Sequence, residues 1–348
     1  MPHPTGTIFD ADALFWTLES FGSETMGIAR CLLSCLAFFA ILLTAVQAQD
    51  AQPKKPSTPK QKKSQKKPTG ETYTLVGAGD IAACNDLRGA RATAALIEAI
   101  PGTVFAAGDL AYNQGTISEF RSCYDPTWGK FKDRTRPSPG NHEYNGSDAI
   151  GYFQYWDGRA GDPAKGYYSY DLGAWHVVVL NTNCDVSTLG GCDVGSPEEK
   201  WLREDLAAHP SSCIVAYGHH ALFSSGILSK HSRHKELRPF WQALYEAHAD
   251  VILAGHEHSY ERFAPQDPQG KLDPQHGIRQ FTVGTGGRSH TLLGFAQPNS
   301  ELRNDDTFGV LKLTLSPGKY KWEFVPEAGR SFHDSGEGTC HNVSPIAK

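Results

Sequence analysis

The stretch "DVILAGHEH", residues 250–258, decides how this chain is read. A short apolar run, Val251 to Ala254, reaches Gly255, and two histidines follow, His256 and His258. The run is too short for a helix and reads as a buried strand. The same habit recurs on either side. "TYTLVGAGD" ends at Asp80, "TVFAAGD" at Asp109, "CIVAYGHH" at His219 and His220, and "WHVVVLNT" near Asn181. "TRPSPGNHE" carries the chain into Asn141, His142 and Glu143, and "QFTVGTGG" ends in glycines. Helical patterns lie between these runs. Leu87 to Ile100 is stopped by Pro101-Gly102. Ser196 at the N-cap and Pro197 at N1 open a helix running to His209. Glu236 to His248 is another, and apolar alternation around Ser316-Pro317-Gly318 predicts a hairpin. Strands alternating with helices predict a layered α/β fold, with polar residues gathered past the strand carboxyl ends.

The 348 residues suffice for a large core, and a net charge of −5 argues against a nucleic-acid-binding surface. Two segments differ from the rest. Residues 31–48, "CLLSCLAFFAILLTAVQA", follow Arg30 and end in small residues suited to signal cleavage. With Met26 as start, residues 26–48 are expected to be a signal peptide and residues 1–25 an over-extended start. The alternative is a membrane anchor over 31–46. Residues 49–70 carry seven lysines and four prolines and no large apolar residue. They predict a disordered linker, a plain tether or one that associates weakly with an anionic cell surface. The folded, catalytic part is expected over 71–348. Secretion or a periplasmic location fits the cysteines: beyond the signal stand Cys84, Cys123, Cys184, Cys192, Cys213 and Cys340, an even set without CxxC spacing. Cys184 and Cys192 are the easiest pair to join, and the other four leave the pairing open.

Asp80, Asp109, Tyr112, Asn141, His142, His219, His256 and His258 all cluster at strand ends. Carboxylates, an amide and imidazoles at one edge of a sheet suit a two-metal site with borderline cations. Gly255 is expected to let the backbone turn tightly, so that His256 and His258 serve different ions while Glu257 points away. There is no HExxH and no Gly-x-Ser-x-Gly, so neither a zinc protease nor a serine hydrolase is supported.

Taken together, "GAGD", "GDLAYN", "GNHE", "GHH" and "GHEH" resemble the calcineurin-like metallophosphoesterases, in order, over roughly residues 74–290. Tyr112, three residues after Asp109, and the lack of a histidine two residues after Asp80 resemble the purple acid phosphatase branch. The resemblance implies a four-layer α-β-β-α sandwich of two mixed sheets. It implies one metal held by Asp80, Asp109, Tyr112 and His258, and another by Asp109, Asn141, His219 and His256, with Asp109 bridging. His220 is the rival of His219, because Ala221 stands where the family usually has proline. His142 is implied to face substrate as a catalytic residue; His231 and His234 stand where the branch has a substrate-side histidine pair, His231 expected to be catalytic and His234 read equally as an exposed loop histidine. A tyrosinate suits Fe(III), leaving Zn(II), Mn(II) or Fe(II) for the second site. The expected activity is attack of a metal-bound hydroxide on a small phosphorylated substrate, a phosphate monoester. A diesterase or nucleotide-cleaving enzyme of the same fold is the alternative, and an inactive metal- or phosphate-binding protein the third. Arg288 and His290 are read either as pocket rim or as an exposed turn.

Overall fold

A computed structural model describes residues 70–145, 148–210, 213–227 and 234–342. The expected signal, anchor and linker lie outside the described residues, and so does His231. Numbered along the chain, the strands are β1 (Tyr73–Ala78), β2 (Ala82–Ala83), β3 (Thr103–Ala107), β4 (Ala111–Tyr112), β5 (Thr135–Ser138), β6 (Tyr168–Leu172), β7 (Trp175–Val179), β8 (Cys213–Tyr217), β9 (Val251–Ala254), β10 (Tyr260–Phe263), β11 (Arg279–Val283), β12 (Ser300–Asn304), β13 (Gly309–Ser316), β14 (Lys319–Pro326) and β15 (Asp334–Thr339). The helices are α1 (Arg88–Ala99), α2 (Ile117–Glu119), α3 (Asn141–Tyr144), α4 (Ile150–Trp156), α5 (Pro197–Ala208) and α6 (Arg238–Glu246).

Two mixed sheets result. One has the order β15-β14-β13-β1-β3-β5, the other β12-β10-β11-β9-β8-β7-β6, and β2 pairs with β4 apart from both. The strands that lead to the candidate ligands run parallel to their neighbours: β1 with β3 and β8 with β9 inside their sheets, and β3 with β5 at the edge of the first. Parallel strands need apolar residues on both faces, as the runs VILA and CIVAY supply. Alternation along β7 sorts the layers. Trp175, Val177 and Val179 join Leu75, Phe105, Val215 and Phe281 in a core between the sheets. Val178 joins Leu202 and Leu206 of α5 and Trp241 and Leu244 of α6 in a second core outside it. Ala90, Ala94 and Ile97 of α1 pack on the first sheet. The layers are therefore helix, sheet, sheet, helix, as the resemblance implies. Each large side chain so buried, Trp175 or Phe105 for example, contributes about 1.5–3 kcal/mol.

Ser196 caps α5 by accepting from the Glu199 amide, with Pro197 at the first turn. The hairpin of β13 and β14 has its turn after Ser316. The segment that carries the chain into Asn141 forms β5, and Pro137 is accepted because β5 is an edge strand. Disulfides join Cys184 to Cys192, Cys84 to Cys123 and Cys213 to Cys340. Among the described residues no helix is long and apolar enough to cross a membrane.

Beside the Cys213–Cys340 bridge, Asp250 accepts hydrogen bonds from the Ile214 amide (2.8 Å) and the His341 amide (2.7 Å). Burial outweighs both bonds and pushes its carboxyl up to about 7 from 3.8. A raised carboxyl binds its proton more tightly folded than unfolded, so Asp250 favours the fold at low pH and this contribution is lost as pH rises from about 4 through about 7. The pH dependence of chemical-denaturation stability, wild type minus Asp250→Asn, is expected to fall across that window. A difference that is flat or rises there contradicts the assignment.

Candidate metal centre

Asp80 follows β1, Asp109 follows β3, Asn141 opens α3 after β5, His219 follows β8, and His256 and His258 follow β9. The two sheets bring these ends together because glycines leave room. A Cβ on Gly255 would stand 2.7 Å from the Ala107 carbonyl oxygen and 2.7 Å from Asp80 Oδ2. The expected tight turn at Gly255 is thus corrected: the glycine is needed for close approach, and the left-handed residue is His256, with φ 70°. Asp80 (φ 60°) and Asp109 (φ 54°) are also left-handed, a region that short polar side chains tolerate best.

The seven candidate ligands form two lobes. In the first, Tyr112 Oη lies 2.8 Å from Asp80 Oδ1, 3.1 Å from Asp109 Oδ2 and 3.2 Å from His258 Nε2. His258 Nε2 is 3.3 Å from Asp80 Oδ1. In the second, His219 Nε2 lies 3.2 Å from Asp109 Oδ2 and 3.1 Å from Asn141 Oδ1. His256 Nδ1 is 3.0 Å from that same Asn141 oxygen and 3.2 Å from His219 Nε2. Asp109 Oδ2 belongs to both lobes. The grouping is the one the resemblance implies.

Asp80 and Asp109 are fully buried, and no lysine or arginine pairs with either among the described residues. Carboxylates removed from water require cations. In the protein alone, histidine protons partly fill that need. Burial opposes the charge on His219, but the Asp109 carboxylate prevails and raises it to about 9. Burial raises the Asp80 and Asp109 carboxyls, yet His258 and His219 respectively hold both below the usual range. His256, buried and beside His219, is pushed down to about 3. Burial, then Asp109 and Asp80, pushes the Tyr112 phenol well up, a trend that a bound cation reverses. Oxygen and nitrogen lone pairs converging on an uncompensated charge fit a pair of metal ions.

Hydrogen bonds outside the lobes fix the ring nitrogens. His219 Nδ1 donates to the Ala107 carbonyl (2.9 Å), and Ser289 Oγ, 2.7 Å from His258 Nδ1, is able to accept its proton. A proton held on Nδ1 leaves Nε2 as the nitrogen for a metal. His220 sits alongside, its ring 4.6 Å from that of His256, and Thr182 Oγ1 lies 3.0 Å from its Nδ1. Proximity to Asp109 and Asn141 belongs to His219. His142 is 27% exposed; its Nδ1 donates to the Asn113 carbonyl (2.6 Å), and its Nε2 is 3.8 Å from Asp109 Oδ2. His234 bonds Glu236 (2.8 Å) and stacks 4.2 Å from His220. Arg288 holds its guanidinium 4.9 Å over the Tyr112 ring, at the rim, whereas His290 turns away to stack on Phe308. Glu257 does point away from the imidazoles, but inward: it is buried against Gly226.

The residue that sequence reasoning missed is Glu143. Wholly buried, it accepts from the amides of Asp109 (2.8 Å), Leu110 (2.8 Å) and Gly140 (2.7 Å), with Ala111 at 3.4 Å. It ties the Asp109 turn to the Asn141 turn. Its position directly after Asn141-His142 was the available signal. Burial, then the Asp109 charge, raises its carboxyl to about 7.

The calcineurin-like phosphoesterase family matches residues 79–260, more than half of the chain. The chain belongs to that family. Among curated relatives, Purple acid phosphatase 22 of Arabidopsis thaliana is 27% identical over 236 residues, covering 61% of this chain and 51% of that protein. Purple acid phosphatase 23 of Arabidopsis thaliana is 30% identical over 260 residues, 64% of this chain and 55% of that protein. The chain spans about half the length of the curated relatives it matches. A solved purple acid phosphatase from yellow lupin (Lupinus luteus) seeds superposes with TM-score 0.60 at 17% identity, over 80% of this chain and 57% of that chain. A dimetal phosphatase from Danio rerio gives 0.52 at 12% identity, over 76% of this chain and 98% of that one. These two likenesses concern the fold.

Glu143→Gln keeps the shape but offers one acceptor oxygen where two serve now. It is expected to cost roughly 1–3 kcal/mol in denaturant unfolding and to lower metal content per chain by elemental analysis. Wild-type stability together with wild-type metal content would sink this role.

Proposed function

We propose that this chain is an exported phosphatase that hydrolyses phosphate monoesters with a dinuclear metal centre. The observation that carries it is the pair of ligand lobes sharing Asp109 Oδ2. Asp80, Asp109, Tyr112 and His258 would hold one ion, and Asp109, Asn141, His219 and His256 the other. When bound, the pair supplies a water made acidic enough to attack phosphorus near neutral pH, and positive charge against the phosphoryl oxygens. The phenol oxygen of Tyr112 favours Fe(III) in its lobe, and the nitrogen-rich lobe suits Zn(II), Mn(II) or Fe(II). Three disulfides support an oxidising compartment, hence export.

The chain's own residues do the rest. With one proton on Nδ1 donated to the Asn113 carbonyl, His142 in its imidazolium form presents Nε2–H to the substrate and passes that second proton to the departing oxygen, itself becoming the neutral imidazole. Arg288 adds positive charge at the Tyr112 side, where the phosphoryl oxygens gather. Ser289 keeps the His258 tautomer in which Nε2 is free.

Asp109→Asn is expected to lower nitrophenyl phosphate hydrolysis by about a thousandfold or more, and His142→Ala by roughly 10²–10⁴. Chelator treatment lowers Tm in the wild type, zinc or iron restores it, and neither moves Asp109→Asn. Faster cleavage of bis-nitrophenyl phosphate than of the monoester would transfer the chain to the diesterases.

A further inference from the structure

A cavity of about 220 Å³ opens beside the His219–Asn141 lobe. It is smaller than the roughly 300–1,000 Å³ typical of drug-sized ligand sites. Its wall holds three amides, Asn141, Asn145 and Asn183, two carboxylates, Asp185 and Glu236, and the imidazoles of His220 and His234, the latter bonded to Glu236 (2.8 Å). Among the described residues no lysine or arginine lines it. The disulfide between Cys184 and Cys192 closes the loop that carries Asp185, so that carboxylate is tethered beside the lobe.

The His220 ring has a defined direction. Thr182 Oγ1 accepts from the backbone amides of His219 (3.1 Å) and His220 (2.9 Å), which uses both of its lone pairs. Its hydroxyl hydrogen therefore goes to His220 Nδ1 (3.0 Å), and the ring proton sits on Nε2. Besides the ring proton of His220, the cavity thus offers amides, the Tyr144 hydroxyl, the Asp185 carboxylate and the His234–Glu236 pair. On the other flank of the ligand cluster, Arg288 rests on Tyr112 of the opposite lobe. Positive charge stands at one end of the site and negative charge at the other. A phosphate monoester aligned with that field puts its phosphoryl oxygens towards Arg288 and its leaving group in the cavity.

Resting on the phosphomonoesterase reading, we infer that this cavity seats the leaving group and selects small ones bearing a positive charge. An ammonium two carbons from the ester oxygen suits Asp185, with Glu236 behind it sharing its charge with His234, while a carboxylate or a further phosphate there is repelled. The substrate class is small cationic phosphate monoesters, with inorganic phosphate and a free amino-alcohol as products.

The test is a near-isosteric series with the metal-loaded full chain: 2-aminoethyl phosphate, 2-hydroxyethyl phosphate and phosphoglycolate, with nitrophenyl phosphate as reference. kcat/KM is expected to fall in that order, with roughly tenfold between the ammonium and the carboxylate. Asp185→Asn is expected to narrow that ratio and Asp185→Lys to invert it; because the readout is a ratio, a general loss of activity does not mimic the effect. A flat or reversed series in the wild type overturns the inference, and so does a ratio unmoved by Asp185→Lys. If nitrophenyl phosphate is cleaved in those cases, the phosphatase reading stands without it. No hydrolysis of any of the four overturns both.

Discussion

Four backbone amides converge on one carboxylate, Glu143, and the site depends on that convergence. Two turns that belong to different strands meet there. The Asp109 backbone is left-handed and cannot satisfy its own amides in a ladder, so the carboxylate does it from outside. In return Asp109 Oδ1 accepts from the His142 amide (2.8 Å), closing the loop between the two turns. Asp109 and Asn141 therefore arrive as a unit. Two carboxyl groups, Glu143 and Asp109, are buried almost side by side; the backbone donors and the adjoining imidazoles make that arrangement tolerable, and a pair of cations completes it.

Much of this was legible because parallel central strands must be apolar on both faces. Runs such as VILA and CIVAY stand out, and the polar residue that breaks each run lies at the carboxyl end where such folds gather their chemistry. The strands without a sequence signal are mainly the edges. β5, β6, β12 and β15 each border a sheet. An edge has one neighbour and less two-sided burial, so DSGEGT or SELRN carries no apolar alternation. Their pairing is set by partners already in place, as β14 templates β15. The seven candidate ligands could be named from sequence order and motif, but not the residues that aim them. Ser289 and Thr182 act through a hydroxyl at a distance in sequence that no local pattern encodes. Gly255 was noticed for the wrong reason: only the approach of Ala107 and Asp80, from the other sheet, explains why a side chain is excluded.

Disulfides and ligands divide the labour. The Cys213–Cys340 bridge fastens the C-terminal tail to the start of β8, far along the strand from His219. The Cys184–Cys192 bridge instead stiffens a loop at the ligand end. One supports the frame, the other the approach to the centre.

The left-handed backbones at Asp80, Asp109 and His256 also shape how such a chain can drift. At these positions a β-branched replacement meets a steric penalty before any chemistry is considered, whereas asparagine fits. Lineages that abandon catalysis are thus channelled towards Asp-to-Asn exchange, which discharges the buried pair and spares the backbone. A folded, silent descendant would carry asparagines where its ancestor carried charge, and the loss of function would be written in the residues the fold permits.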